Sequence, residues 1–147
     1  MKTEIQVYTD GASRGNPGPS AVGIYVRDSA GTEFIKRGEF IGKTTNNVAE
    51  YQAIIRSLKH LAQSHFIKLE DSQITINSDS QLVIKQLCGD YKIKSANLIP
   101  LAIETRKLMK TVPHLKLNFI DRDENKIADK LANRAMNLQG DIDEMEE

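Results

Sequence analysis

The sequence predicts one mixed α/β domain: a five-stranded sheet whose first three strands are antiparallel, flanked by helices. Two patterns carry that reading. Apolar residues alternate with polar ones in short segments and recur elsewhere at helical spacing, in the order β-β-β-α-β-α-α-β-α. Strands in direct succession make antiparallel hairpins, whereas strands reached through a helix cross over and run parallel.

Residues 5–10 (Ile5-Gln6-Val7-Tyr8-Thr9-Asp10) alternate as a strand that stops at an acid, before the turn-forming run from Gly11 to Pro19. Residues 20–28 and 32–41 are two further strands, joined through Asp28-Ser29-Ala30-Gly31 as a hairpin. Thr45-Asn46-Asn47 offers helix-start side chains, and Tyr51, Ile55, Leu58 and Ala62 then make a core-facing stripe. Ile74, Ile76 and Ser78 alternate in a fourth strand that finishes at Asp79, ahead of a short helix through Leu82, Val83, Ile84 and Leu87. Another helix is expected over 97–111. Leu115, Leu117 and Phe119 mark the fifth strand, and Asn125 begins a last helix facing inward through Ala128, Leu131, Ala132 and Ala135.

A chain of 147 residues with 39% hydrophobic content fits one core, and no repeat or linker divides it. Residues 1–140 are expected to form the catalytic domain, and 141–147 an acidic, disordered tail. No run of apolar residues is long enough to span a membrane and the N-terminus has no signal-peptide pattern, so a cytoplasmic protein is expected. The single cysteine, Cys88, closes a predicted helix and reads as a buried thiol. Net charge is zero, which at first argues against a nucleic-acid partner. The average conceals an asymmetry. Five of the last seven residues are acidic, so residues 1–140 carry 20 basic against 15 acidic side chains, enough for a moderate phosphate-binding face.

The informative acids are Asp10, Glu50, Asp79 and Asp129. Open α/β sheets bind ligands beyond the carboxyl ends of their strands, so Asp10 and Asp79 converge if their strands are neighbours. Glu50 and Asp129 lie in the first turns of two helices and can project toward the same edge. Carboxylates gathered this way repel one another unless a cation sits among them, and all-oxygen ligands suit Mg²⁺ or Mn²⁺. Such a site serves phosphoryl displacement.

The segments around these acids resemble the signature blocks of type 1 ribonuclease H. The blocks are Thr9-Asp10-Gly11-Ala12 with Gly15-Asn16-Pro17-Gly18, Thr45-Asn46-Asn47-Val48-Ala49-Glu50, Ser78-Asp79-Ser80-Gln81, and Asn125 to Asn133 around Asp129. They stand in the family's order across residues 5–135. The resemblance implies the ribonuclease H fold and an endonuclease that hydrolyses the RNA strand of RNA–DNA hybrids, leaving 5′-phosphate and 3′-hydroxyl ends. It implies two Mg²⁺ or Mn²⁺ ions, with Asp10 bridging both, Glu50 and Asp79 completing one position and Asp129 the other.

On the same resemblance, Asn16, Asn46, Asn47 and Gln81 contact the minor groove, where an amide can both donate to and accept from the 2′-hydroxyl that separates RNA from DNA. Each also has a local use, as turn or helix-cap residue. Thr45 matches a residue that grips a DNA phosphate. The chain departs from many relatives in its short connection Leu87–Lys94, which leaves no room for a basic helix, and in its lack of a histidine-bearing loop before the last helix. None of His60, His65 and His114 falls near the acids, so Arg122, in the short connection Asp121-Arg122-Asp123-Glu124, is expected to act on the scissile or product phosphate, the alternative being a surface arginine paired with Asp121 or Asp123. The expected partner is an RNA–DNA hybrid, met by a monomer with no obligate protein partner. A non-catalytic binding module and another nuclease of the same superfold, exonuclease or junction resolvase, are the alternatives.

Overall fold

A computed structural model describes residues 2–145. Three antiparallel strands come first: β1 (Thr3–Ser13), β2 (Gly18–Asp28) and β3 (Glu33–Thr44). Helix α1 (Asn46–Gln63) follows, then β4 (Ser72–Ser78), α2 (Gln81–Leu87), α3 (Ile99–Met109), β5 (Leu115–Phe119) and α4 (Lys126–Leu138). A short sixth strand, β6 (Ile142–Asp143), completes the order β5-β4-β1-β2-β3-β6. β1 is parallel to β4 and β4 to β5, as crossovers through helices require.

The first hairpin turn closes where expected. Asp28 N–H donates to the Thr32 carbonyl, the Asp28 carboxylate accepts from Ala30 and Thr32 N–H, and Gly31 takes the positive φ of 94°. Thr45 caps α1 by accepting from Val48 N–H at 3.3 Å. In α1 the inward stripe is Tyr51, Ile54, Ile55, Leu58 and Leu61; Ala62, expected in it, is exposed, because the stripe rotates onto Leu61 in the last turn.

Helices cover the two faces of the sheet unequally. Toward α1 point Ile5 and Val7 of β1, Val22, Ile24 and Val26 of β2, and Ile74 and Ile76 of β4, all fully buried with the α1 stripe in one large apolar cluster. Toward α4 the sheet presents small residues: Ala12, Ala21 and two glycines. A Cβ added at Gly23 would lie 1.8 Å from the Ala128 carbonyl oxygen, and one at Gly38 2.3 Å from that of Leu131. The α4 backbone therefore rests directly on the sheet, which only glycine permits.

The structure corrects four expectations. The sheet has six strands, not five. The segment after Gly140, expected to be disordered, is ordered through residue 145: β6 pairs with β3, Phe40 N–H donates to the Asp141 carboxylate at 2.9 Å, and Arg37 pairs with Asp143 at 2.9 Å. Glu144 pairs with Arg134 and Lys36. Its acids answer cations on β3 and α4, which is why a charged segment packs; Glu146 and Glu147 lie outside the described residues. Cys88 is exposed rather than buried, since it falls just past the inward face of α2 at the C-cap. β1 continues past Asp10 to Ser13, because pairing with β2 persists after pairing with β4 ends at Thr9–Ser78.

Candidate active site

Asp10 sits one residue beyond the last parallel pair of β1 and β4, and Asp79 one residue beyond the end of β4. Two adjacent parallel strands thus deliver two acids to the same sheet edge. Glu50, in the second turn of α1, reaches them because Gly11 lets the helix backbone descend: a Cβ there would stand 2.2 Å from the Ala49 carbonyl carbon. The Gly11 N–H also donates to Glu50 Oε1 at 2.7 Å and fixes that carboxylate. Asp10, Glu50 and Asp79 each offer an oxygen within 4.8 Å of the others.

Asp129 arrives from the opposite face. The register places Gly23 beside Asp10, and α4 rests on Gly23 at Ala128, so the next residue is carried to the same cavity as Asp10 and adds its charge there. Asp129 is exposed and stands beside the three-acid group, with its carboxylate accepting from Asn133 Nδ2 at 3.2 Å.

The electrostatics are those of carboxylates crowded together and buried. Burial, then the charges of Glu50, Asp79 and Asp129, push Asp10 up to about 9. Burial and Asp79 push Glu50 up to about 8, against the opposing Gly11 N–H and the Arg122 charge. Acids that resist ionising alone, gathered in a donor set of oxygens only, fit a hard divalent cation. Asp10, Glu50 and Asp79 would hold it, with Asp129 adjacent.

These four acids line a cavity of about 550 Å³ together with Asn46, Asn47, Gln81 and Arg122. Asn47, Gln81 and Arg122 are exposed there. Two predicted contact residues do not line it. Asn16, in the β1–β2 loop, accepts from Asn46 N–H at 3.1 Å, while Asn46 Oδ1 accepts from Ser13 N–H at 3.0 Å, so the pair ties the loop to the start of α1. Thr45 spends its hydroxyl on the helix cap. The histidines are elsewhere, as expected: His60 lies 2.7 Å from Glu39, and the His114 carbonyl accepts from Ile74 N–H at the other end of the sheet.

Sequence reasoning missed Asn125. The sequence places it at the start of α4 and in the block around Asp129, but assigns it no role of its own. Its side chain does not cap; its amide instead donates to Asp79 Oδ2 at 3.2 Å and to the Thr9 carbonyl at 2.9 Å.

A family model described as reverse transcriptase-like matches residues 8–135. Over 132 residues the chain is 38% identical to ribonuclease HI of Halobacterium salinarum, covering 90% of this chain and 64% of that protein, so it spans less than two thirds of that relative's length. The crystal structure of RNase H1 from the same halophilic archaeon matches with a TM-score of 0.84 at 37% identity, over 91% of this chain and 98% of the other. Ribonuclease H of Methylococcus capsulatus is 32% identical, with 93% of each chain covered. LC11-RNase H1, crystallised in complex with an RNA/DNA hybrid, is 36% identical with a TM-score of 0.84, over 92% of this chain and 98% of its own.

Proposed function

The chain belongs to the type 1 ribonuclease H family, and on that premise we propose that it is an endoribonuclease hydrolysing the RNA strand of RNA–DNA hybrids. The observation that carries this reading is the convergence of Asp10, Glu50 and Asp79 within 4.8 Å, in a cavity also lined by Asn46, Asn47 and Gln81. This cluster and Asp129 would hold two Mg²⁺ or Mn²⁺ ions, which when bound would supply Lewis-acid stabilisation of charge at the attacked phosphate. On this reading Asp10 would be shared between the two positions, with Glu50 and Asp79 at one and Asp129 at the other.

The chain's own residues do the rest. Gly11 N–H holds Glu50 in place without neutralising it. The amides of Asn46, Asn47 and Gln81 meet the minor groove, where they test for a 2′-hydroxyl, and Asn16 extends that row along the loop. Thr45, at the start of α1, holds a phosphate of the DNA strand. Arg122 faces the cavity beside the acids and places a permanent positive charge near the scissile or product phosphate. Products carry 5′-phosphate and 3′-hydroxyl ends. We assign the catalytic unit to residues 1–140, acting as a cytoplasmic monomer with no obligate protein partner. Among the described residues no helix is long and apolar enough to cross a membrane.

An RNA–DNA hybrid with label at either RNA end, incubated with and without Mg²⁺ or Mn²⁺, tests this. Internal RNA cuts that require the metal and spare the DNA strand are expected. Uncut RNA under every condition would leave a binding module, and stepwise shortening from one end would point to an exonuclease.

A further inference from the structure

Asn125 occupies one of the most buried polar positions in the protein, 1% exposed, between the single turn Arg122–Glu124 and α4. Four bonds radiate from it. Its side-chain amide donates to Asp79 Oδ2 and to the carbonyl of Thr9, the residue before Asp10. Its own carbonyl accepts from Asp129 N–H at 3.1 Å, and its N–H donates to the Arg122 carbonyl at 3.0 Å. One residue therefore touches the chain segments that carry Asp10, Asp79, Asp129 and Arg122.

The orientation of this amide follows from its surroundings. Both neighbours of its nitrogen are acceptors, so the NH₂ end faces Asp79, and Oδ1 is left buried without a partner. Leaving a buried carbonyl oxygen unpaired is unfavourable, so the fold retains this residue for its donor end. The donor is neutral. An arginine or lysine here would also hold Asp79, but its charge would compete with a cation for the carboxylate. An amide fixes one oxygen and leaves the charge in place. Glu50 and Asp129 are held the same way, by Gly11 N–H and by Asn133. The Asn133 bond is exposed and lies within one helix turn, whereas the Asn125 bond is long-range and bridges α4 to β4.

We propose that Asn125 is a positioning residue for the metal site, orienting the Asp79 carboxylate toward the cation while anchoring the start of the Asp129 helix to β1. This rests on the metal-site reading above and goes beyond it by adding a residue that touches neither metal nor substrate.

The test is calorimetric titration of Mn²⁺ alone into wild type, Asn125→Leu, Asn125→Ala and Asn133→Ala, with thermal melts alongside. Leucine keeps the volume of asparagine and removes the donor; alanine removes both. Both Asn125 variants are expected to bind Mn²⁺ about 10- to 100-fold more weakly, the usual cost of losing such a partner, and Asn133→Ala less so. Hybrid cleavage by the Asn125 variants should recover toward the wild-type rate as Mn²⁺ is raised. A residue that only fills space would make alanine the worse variant in melting temperature and leave the leucine variant's Mn²⁺ affinity unchanged. Wild-type affinity in Asn125→Leu overturns the inference whatever the melts show. Wild-type protein that binds Mn²⁺ and cuts no hybrid would instead sink the proposed function and leave Asn125 in its role.

Discussion

The two helix-covered faces of the sheet are built on opposite principles. Beneath α1 the contact is made by large side chains, Ile5, Val7, Ile24, Ile54 and Leu58, which bury much of the protein's apolar surface. Beneath α4 it is made by backbone on backbone at Gly23 and Gly38, with Ala12 and Ala21 beside them. The first face supplies stability and tolerates small shifts of the helix. The second sets a distance, because the helix it seats carries Asp129 toward Asp10. Where a helix must deliver a ligand, bulk gives way to close approach.

The site itself lies at the far end of that contrast, where four acids gather without concern for stability, and there a single change should have the largest effect. Asp10→Asn preserves shape and removes a carboxylate central to the cluster; hybrid cleavage should fall ~10³-fold or more, on the scale of losing one strong electrostatic contributor. Melting in the presence of a chelator should move the other way, since Asp10, raised to about 9, is destabilising when ionised. Its folded value exceeds its unfolded one, so the chelated wild type loses stability as pH rises from about 4 toward about 9. The asparagine variant should show a flatter profile by calorimetry.

Next in size is a pair that separates the faces. Gly23→Ala places a methyl group against the Ala128 carbonyl, where nothing but backbone can yield, so α4 must shift. A displacement of ~1 Å near the chemistry costs on the order of 10²-fold in rate. Ile54→Ala, under α1, should cost about 2–5 kcal/mol in denaturant melts while the folded fraction keeps its turnover. Equal stability losses with equal activity losses for the two variants would erase the distinction between the faces. A smaller effect is expected at Arg122: replacement by alanine should slow turnover about 10-fold, and the wild-type rate should lack the titration near pH ~6.5 that a catalytic histidine imposes.

The smallest effect concerns Glu39, which ties β3 to α1 through Arg56 and His60. Burial pushes its pKa up, but hydrogen bonds from His60, Arg56 and Arg37 outweigh it and hold the group down at about 2. A depressed value means that its contribution is complete above about 4.5 and fades as pH falls toward about 2. Glu39→Gln should therefore melt lower than wild type at neutral pH and converge with it in acid. Parallel curves across that range would show that the three partners add nothing.

The order of elements was legible because strand and helix periods are distinct in this chain, and the hairpin at Asp28–Gly31 carries its own turn chemistry. The four acids were legible through their motif blocks. Position along a strand alone misplaced Asp10, which lies mid-strand, since only the register shows that β4 stops before β2 does. Asn125 was hidden because its two acceptors, Asp79 and the Thr9 carbonyl, lie 46 and 116 residues away in sequence. The glycines of the α4 face were visible as letters but not as contacts, since what a missing Cβ makes room for is known only when the opposing backbone is in place. The tail was misread because its charge was counted without the cations on β3 and α4 that answer it.

That tail has a bearing on how the molecule behaves in concentrated solution. A sheet closed at one margin by β6 offers fewer free amides for another molecule to continue, and Asp141, which accepts from Phe40 N–H, covers one more without adding a strand. A two-residue edge strand rich in acids is a poor template for pairing with another molecule's sheet. Shortening the chain at Gly140 for crystallisation, or fusing a tag that pulls residues 141–145 away, would trade a tidy terminus for a sticky margin.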